Sequence, residues 1–72
     1  MPAIDLHSVV ALTEDLPEQN LVRGQVGTIV DTWASDVYEV EFCDDNGHTY
    51  AMAALNASQL MRLHHEPAHR AA

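Results

Sequence analysis

The sequence predicts an all-β fold, a small barrel of five short strands. A β-branched run at Thr28-Ile29-Val30 favours extended backbone over helix. From Val37 to Phe42, apolar and acidic residues alternate, as in a half-buried strand. An Asn46-Gly47 dipeptide follows and indicates a hairpin between that strand and the next. The chain has 72 residues, and we expect a single domain over 1–63 with a flexible C-terminal tail over 64–72.

The elements are expected in this order: a strand from His7 or Ser8 to Leu12, a loop, a strand Gln25–Trp33, a turn Ala34–Asp36, a strand Val37–Cys43, a strand from His48 to about Ala54, a 3₁₀ turn Asn56–Ser58 and a strand Gln59–Leu63. Gly24 and Gly27 lie where the second strand begins, and glycine there typically marks a bulge or a bend. Five strands, a long first loop and a 3₁₀ turn before the last strand are typical of an SH3-like barrel.

The first loop is predicted from the polar run Thr13–Asn20, which Pro17 interrupts. A helical turn at Thr13–Asp15 is left open, but the proline and the short segment argue against a longer helix. We expect Leu16 and Leu21 to anchor this loop on the core. Loops of this length in small domains often carry function.

The hairpin sets a register. A type I′ turn, in which Asn46 and Gly47 both take positive φ, would place Asp45 opposite His48. Counting back along the strands predicts three core-facing pairs: Phe42–Ala51, Val40–Ala53 and Tyr38–Leu55. It predicts three pairs on the opposite, outer face: Cys43–Tyr50, Glu41–Met52 and Glu39–Ala54. A slip of one residue would bury the glutamates, which disfavours other registers.

The charge is strongly negative, since 11 acidic residues against three arginines and no lysine give a formal net charge of -8. Nucleic acids and anionic membranes are bound mainly through cations, so we expect neither partner. An acidic surface favours a basic protein partner through electrostatic steering, although net charge of this kind also maintains solubility. Homo-oligomerisation through an edge strand is also left open.

The compartment is predicted from the cysteine and the N-terminus. Cys43 is the single cysteine, so no intramolecular disulfide can form, which fits a reducing compartment. The first residues lack the basic and apolar pattern of a signal peptide. No apolar run approaches the ~20 residues needed to span a bilayer. We therefore expect a cytoplasmic protein.

The segments that carry a family resemblance are Val9 to Leu12, Asp15 to Pro17, Leu21 to Val30, Tyr38 to Phe42, Asp45 to Gly47, and Gln59 with Leu60. Together they resemble the bacterial domain-of-unknown-function family 4926 from about His7 to Leu63. The resemblance implies a small stand-alone β-barrel, often encoded beside toxin-like or mobile-element genes, and it implies no catalytic residue. A looser similarity is to KOW barrels, but the basic loops of those RNA- or protein-binding domains are acidic here, so RNA binding is not expected.

Two candidate chemistries are weaker. His64, His65 and His69 cluster near the C-terminus, but Pro67 disfavours the helix that would align the last two as metal ligands. We interpret them as solvated histidines. Cys43 has acidic neighbours, which disfavour a thiolate nucleophile. No catalytic residue, metal site or cofactor is expected, and we expect the protein not to be an enzyme.

The predicted protein-binding residues are Trp33, Glu39, Glu41, Tyr50 and Met52, with the long first loop nearby. Trp33 either closes one end of the barrel or forms an exposed aromatic anchor, and tryptophan is enriched among interface hot spots. We predict a protein–protein interaction module, in its most concrete form an antitoxin or immunity-like protein that binds a basic partner. The alternatives are an accessory SH3-like subunit of an enzyme and a protein that binds metal through its C-terminal histidines.

Overall fold

The computed structural model describes residues 4–64, which form one antiparallel sheet. The strands are β1 (Val9–Leu12), β2 (Val26–Ala34), β3 (Val37–Cys43), β4 (Thr49–Asn56) and β5 (Leu60–Arg62). Their order across the sheet is β4-β3-β2-β1-β5. A 3₁₀ turn, Ala57–Gln59, precedes β5. The all-β class, the five strands and this turn are confirmed, whereas the closer likeness to an SH3 barrel stays a prediction. Residues 4–64 contain no helix that is long and apolar enough to cross a bilayer.

The core lies on one side of the sheet, as the alternation in β3 predicts. Tyr38, Val40 and Phe42 are at most 3% exposed, while Glu39 and Glu41 face the other side and are half-buried. The predicted core-facing pairs of β3 with β4 are confirmed: Phe42–Ala51, Val40–Ala53 and Tyr38–Leu55. The remaining large core residues are Val10, Leu12, Leu21, Ile29, Leu55 and Leu60.

The β3–β4 turn is not the predicted type I′ turn. Gly47 N–H donates to Asp44 O at 3.0 Å, and Asp44 N–H donates to His48 O at 2.9 Å, so the loop has three residues. Only Gly47 has a positive φ, 81°, which Asn46 lacks. This is a type I turn followed by a left-handed glycine. The expected pairing of Asp45 with His48 is therefore wrong.

The Asp44 side chain explains this choice of turn. Its Oδ1 accepts the N–H groups of Asn46 at 2.9 Å and of His48 at 3.0 Å. An aspartate that bonds the backbone two residues ahead stabilises a type I geometry locally. The longer loop requires one extra residue in β4, and the expected pair of Cys43 with Tyr50 is wrong because Cys43 pairs with Thr49.

The first loop joins β1 to β2. Its helical element is a 3₁₀ turn at Pro17–Gln19, so the turn considered at Thr13–Asp15 is wrong. Proline stands at the start of the turn, where its missing N–H has no intrahelical partner to lose. Leu16 and Leu21 form a β-bridge, and Leu21 is 1% exposed. The predicted anchoring of the loop by these leucines is confirmed.

Candidate interaction surface

The outer side of β2, β3 and β4 carries a group of side chains that we call the acidic face: Asp31, Trp33, Glu39, Glu41 and Met52. Strand pairing places them together, since Glu39 lies opposite Asp31 of β2 and Glu41 lies opposite Met52 of β4. Four of the five predicted protein-binding residues are members. Asp31 was not among those predicted, because a bulge at Val30 shifts it opposite Glu39.

Trp33 is the exposed aromatic residue of this face. The pairing of β2 with β3 shifts by one residue between Thr32 and Ala34, so that Trp33 is the extra residue of a second bulge. Its side chain is 64% exposed and does not close the end of the barrel. The indole Nε1–H donates a 2.8 Å hydrogen bond to Glu39 Oε1. The ring is therefore exposed but held in one orientation.

Glu41 is held in a similar way by Thr49, whose Oγ1–H donates to Glu41 Oε2 at 2.6 Å. In each of the two glutamates, a neutral donor occupies one carboxylate oxygen. Among residues 4–64, the other oxygens, Oε2 of Glu39 and Oε1 of Glu41, have no hydrogen-bond partner. Both carboxylates are thus oriented, and each keeps one oxygen for an external donor.

The negative charge of the acidic face is not neutralised within residues 4–64. The ion pair in that range lies elsewhere, between Arg62 and Asp5 at 3.9 Å, and the His48 imidazole lies 3.7 Å from the Asp44 carboxylate, also away from this face. The direct opposition of Asp31 and Glu39 is a like-charge cross-strand pair, which destabilises a sheet. A cation supplied from outside would relieve this repulsion.

Met52 is 52% exposed beside Glu41, as predicted, but Tyr50 points elsewhere. The Tyr50 ring lies 6.3 Å from the Phe42 ring, centroid to centroid, and its hydroxyl accepts a hydrogen bond from Gln25 Nε2 at 3.2 Å. Tyr50 is the extra residue of β4 that the three-residue turn requires. It therefore leaves the predicted alternation and contacts Gln25, the residue before β2.

The long first loop is tied to the other end of the chain. Thr13 N–H donates to Gln59 O at 3.0 Å, and Thr13 Oγ1–H donates to Ser58 O at 3.1 Å. The Asp15 carboxylate accepts the N–H of Arg23 at 2.8 Å. The first two contacts attach the loop to the last 3₁₀ turn, and the third joins it to the segment that precedes β2. None of the hydrogen bonds within residues 4–64 joins it to the acidic face.

A second exposed apolar group was not predicted. Val26 and Met61 are 47% and 54% exposed, and they flank Ala11 on the outer side of β1. The two side chains cover Ala11, which is 5% exposed. The signal was present in the sequence, because alternation along β1 puts Ala11 on the side opposite Val10 and Leu12. The position of Met61 could not be predicted in the same way, because β5 has only three residues and shows no clear alternation.

A cavity of about 640 Å³ lies at the end of the sheet near the turn between β2 and β3. Its lining includes Tyr38, Leu60 and Met61, together with Ile4 and His64 at the limits of the described chain. The Tyr38 hydroxyl there is engaged by the backbone, since it accepts the Ile4 N–H at 3.3 Å. The polar side chains of its lining include Thr13, Asp36 and Arg62.

The histidine and cysteine candidates gain no support from the described residues. Within 4–64, no three His, Cys, Asp or Glu side chains are grouped so as to hold a metal ion. His64 is exposed, and His65 and His69 lie outside the described residues. Cys43 is exposed, with its sulfur 3.7 Å from Thr49 Oγ1, a neutral hydroxyl that cannot serve as a base.

A family model described as "Domain of unknown function (DUF4926)" matches residues 6–62. This span contains all five strands and the whole acidic face. No curated protein and no solved structure matched the chain. The segments that suggested this family in the sequence lie in the strands, the first loop and the turns. The chain belongs to the DUF4926 family.

Proposed function

We propose that this chain is a non-enzymatic protein-interaction module whose acidic face binds a basic surface of a partner protein in the bacterial cytoplasm. The observation that carries the proposal is the pair formed by Trp33 and Glu39. An indole that is 64% exposed is held by a 2.8 Å hydrogen bond to a carboxylate whose other oxygen is free among residues 4–64.

The tryptophan supplies the apolar part of such an interface. Tryptophan is the residue type most enriched among interface hot spots, together with tyrosine and arginine. A side chain already held in one orientation loses less conformational entropy on binding than a free one. The hydrogen bond to Glu39 therefore favours association, and Met52 extends the apolar contact across the sheet.

The carboxylates make binding selective for cationic partners and speed up association with them. A chain with a net charge of -8 attracts cationic proteins over long distances and repels nucleic acids. At contact, Glu39 and Glu41 each offer one oxygen to a charged donor, and hydrogen bonds between ionised groups are about twice as strong as neutral ones. A partner cation also relieves the repulsion between Glu39 and Asp31. The preferred partner is thus a protein with exposed arginine or lysine.

The most concrete form of the proposal is an antitoxin or immunity-like protein that neutralises a basic toxin by covering its surface. Toxins that act on nucleic acids need cations for phosphate binding, and an acidic face competes for the same groups. Support comes from the charge of the chain and from the gene setting that the family resemblance implies.

Affinity capture with the tagged full-length chain tests the proposal. We expect Trp33→Ala, and separately Glu39→Gln with Glu41→Gln, to lose a partner that the unchanged chain retains. The matched control is Glu14→Gln with Glu18→Gln, which removes the same charge from the exposed first loop. Loss in the control as well, or retention in both acidic-face variants, would overturn the proposal. The identity of the captured protein, a toxin or an enzyme subunit, distinguishes neutralisation from the accessory role.

A further inference from the structure

β4 is an edge strand with an unusual composition. It pairs only with β3, so one side of its backbone has no strand beside it among residues 4–64. Its eight residues, Thr49–Asn56, include no charged residue and no proline. Natural edge strands usually carry such residues to prevent pairing with other chains. Apart from the bulge at Tyr50, β4 lacks this protection.

The hydrogen bonds at the end of β4 show which backbone groups are free. Ala57 N–H donates to Asp36 O at 2.9 Å, and the two-residue period of antiparallel pairing then directs Ala53 and Leu55 toward β3. The intervening residues, Met52 and Ala54, direct their N–H and C=O groups away from β3. Asn56 belongs to the same set, and its N–H is accordingly bonded to Gln59 Oε1 at 2.9 Å rather than to β3.

Met52 and Ala54 also carry their side chains on the outer side of the sheet, next to the glutamates of the acidic face. Met52 lies opposite Glu41, and Ala54 lies opposite Glu39. A strand added beside β4 would run about 10 Å from β3, which is two strand spacings. Ala54 presents only a methyl group over that distance. A long cationic side chain on the added strand can therefore pass over Ala54 and reach Glu39.

We propose that β4 binds an extended basic segment of the partner by antiparallel strand addition. The backbone groups of Met52 and Ala54 pair with the segment, and the outward arginine or lysine side chain opposite Ala54 binds Glu39. This inference rests on the proposed function and specifies its mode of recognition. Charge decides against a second copy as the occupant, because each copy has a net charge of -8 and brings no excess of cations.

The geometry identifies which N–H groups of the segment are needed. In antiparallel pairing, the residues opposite Met52 and Ala54 share their side of the sheet and direct their N–H groups toward β4. In a peptide of sequence Arg-Val-Arg-Val-Arg-Val-Arg, those residues are the arginines. Methylation of the arginine backbone nitrogens therefore blocks pairing. Methylation of the valine nitrogens leaves pairing intact, because those groups face away from β4.

The test titrates the full-length chain with these three peptides and follows amide exchange by NMR. We expect the unmodified and valine-methylated peptides to bind alike, and the arginine-methylated peptide to bind about tenfold more weakly or worse. Exchange at the amides of Met52 and Ala54 should be fast in the free chain and slow in the complex. The amide of Ala53, which bonds β3, should be protected in both states and serves as the internal control.

Other outcomes overturn the inference. Equal binding of the two methylated peptides would mean that the peptide is held by charge alone and not by backbone pairing with β4. Absence of peptide binding, with the acidic-face variants still losing the captured partner, would exclude strand addition and leave the proposed function standing. A dimer in sedimentation whose Met52 and Ala54 amides are already protected would assign the edge to a second copy. If substitution of Trp33 and Glu39 left capture of the partner unchanged, the proposed function itself would be excluded.

Discussion

A β carbon on Gly27 would lie 2.6 Å from Val40 Cγ1, closer than real β carbons approach a neighbour. β2 and β3 can therefore pack at this point only because residue 27 lacks a side chain. The same atom would lie 3.0 Å from the carbonyl oxygen of Glu41, which cannot move independently of the sheet. The sequence suggested a bulge or a bend at this glycine, whereas the structure shows a requirement for close approach.

Gly27→Ala is expected to destabilise the chain by about 1–3 kcal/mol, because an added methyl in a packed site forces shifts of backbone and side chains. Chemical denaturation of the full-length chain measures this loss.

Gly24 provides the contrasting control for that measurement. Its φ of 92° disfavours an L-residue, but nothing lies within 4 Å of an added β carbon. Gly24→Ala should therefore cost about 1 kcal/mol, and D-alanine introduced by chemical synthesis should restore stability. At residue 27 the strain comes instead from contact with Val40, so Gly27→Ala should cost less stability in a Val40→Ala background, and an unchanged cost there would contradict the steric explanation.

The single tryptophan makes the acidic face measurable by fluorescence. Trp33 is the only tryptophan of the chain and is 64% exposed, so its emission should be that of a solvated indole. Relative to free N-acetyltryptophanamide at equal ionic strength, quenching by caesium ions should be enhanced and quenching by iodide ions reduced, because Glu39 and Asp31 attract cations to the ring and repel anions.

The difference between the two quenchers should shrink in Glu39→Gln with Glu41→Gln and persist in the loop control Glu14→Gln with Glu18→Gln. Glutamine keeps an oxygen that can accept from the indole, so the orientation of the ring is retained while the charge is lost. If iodide quenched Trp33 in the unchanged chain as efficiently, relative to caesium, as it quenches free N-acetyltryptophanamide, the field at Trp33 would not be negative.

The sequence predicted the fold well where local patterns and burial agree. Alternation in β3 placed Tyr38, Val40 and Phe42 in the core, and the pairs with β4 followed, since a register slip would have buried glutamates. Trp33 and Tyr50 could not be placed in this way. Each is the extra residue of a bulge. A bulge interrupts the two-residue alternation of side chains from which the face of a residue was predicted.

The turn was missed for a related reason. Asn-Gly favours type I′ when only the two central residues are considered. Here the preceding Asp44 bonds two backbone N–H groups and stabilises a type I turn. A rule that treats the dipeptide alone does not include this competing interaction. The bulge at Tyr50 follows from the turn. The wrong turn type therefore also led to the wrong placement of Tyr50 on the outer face.

The turn geometry predicts how much stability is lost when each of Asp44, Asp45 and Asn46 is replaced by alanine. Asp44→Ala loses both backbone hydrogen bonds and should destabilise the chain by about 1–2 kcal/mol, whereas Asp45→Ala should cost less than about 0.5 kcal/mol. Asn46→Ala should also be nearly neutral, because its φ is not positive. A type I′ turn would instead strain an alanine at this position. Denaturant titration of the three variants distinguishes the two turns, and a large loss in Asn46→Ala would contradict the observed one.

The positions of Met52 and Tyr50 predict that their truncations affect different properties. Met52→Ala removes an exposed side chain of the acidic face, so it should weaken partner capture and change stability by less than about 0.5 kcal/mol. Tyr50→Ala removes a ring packed near Phe42 and a bond to Gln25, so it should cost about 1–2 kcal/mol of stability. Tyr50→Phe keeps the ring and should restore most of that loss. Thermal unfolding and partner capture on the same preparations check both effects, and equal loss of capture in folded Tyr50→Phe and Met52→Ala would place Tyr50 within the interface after all.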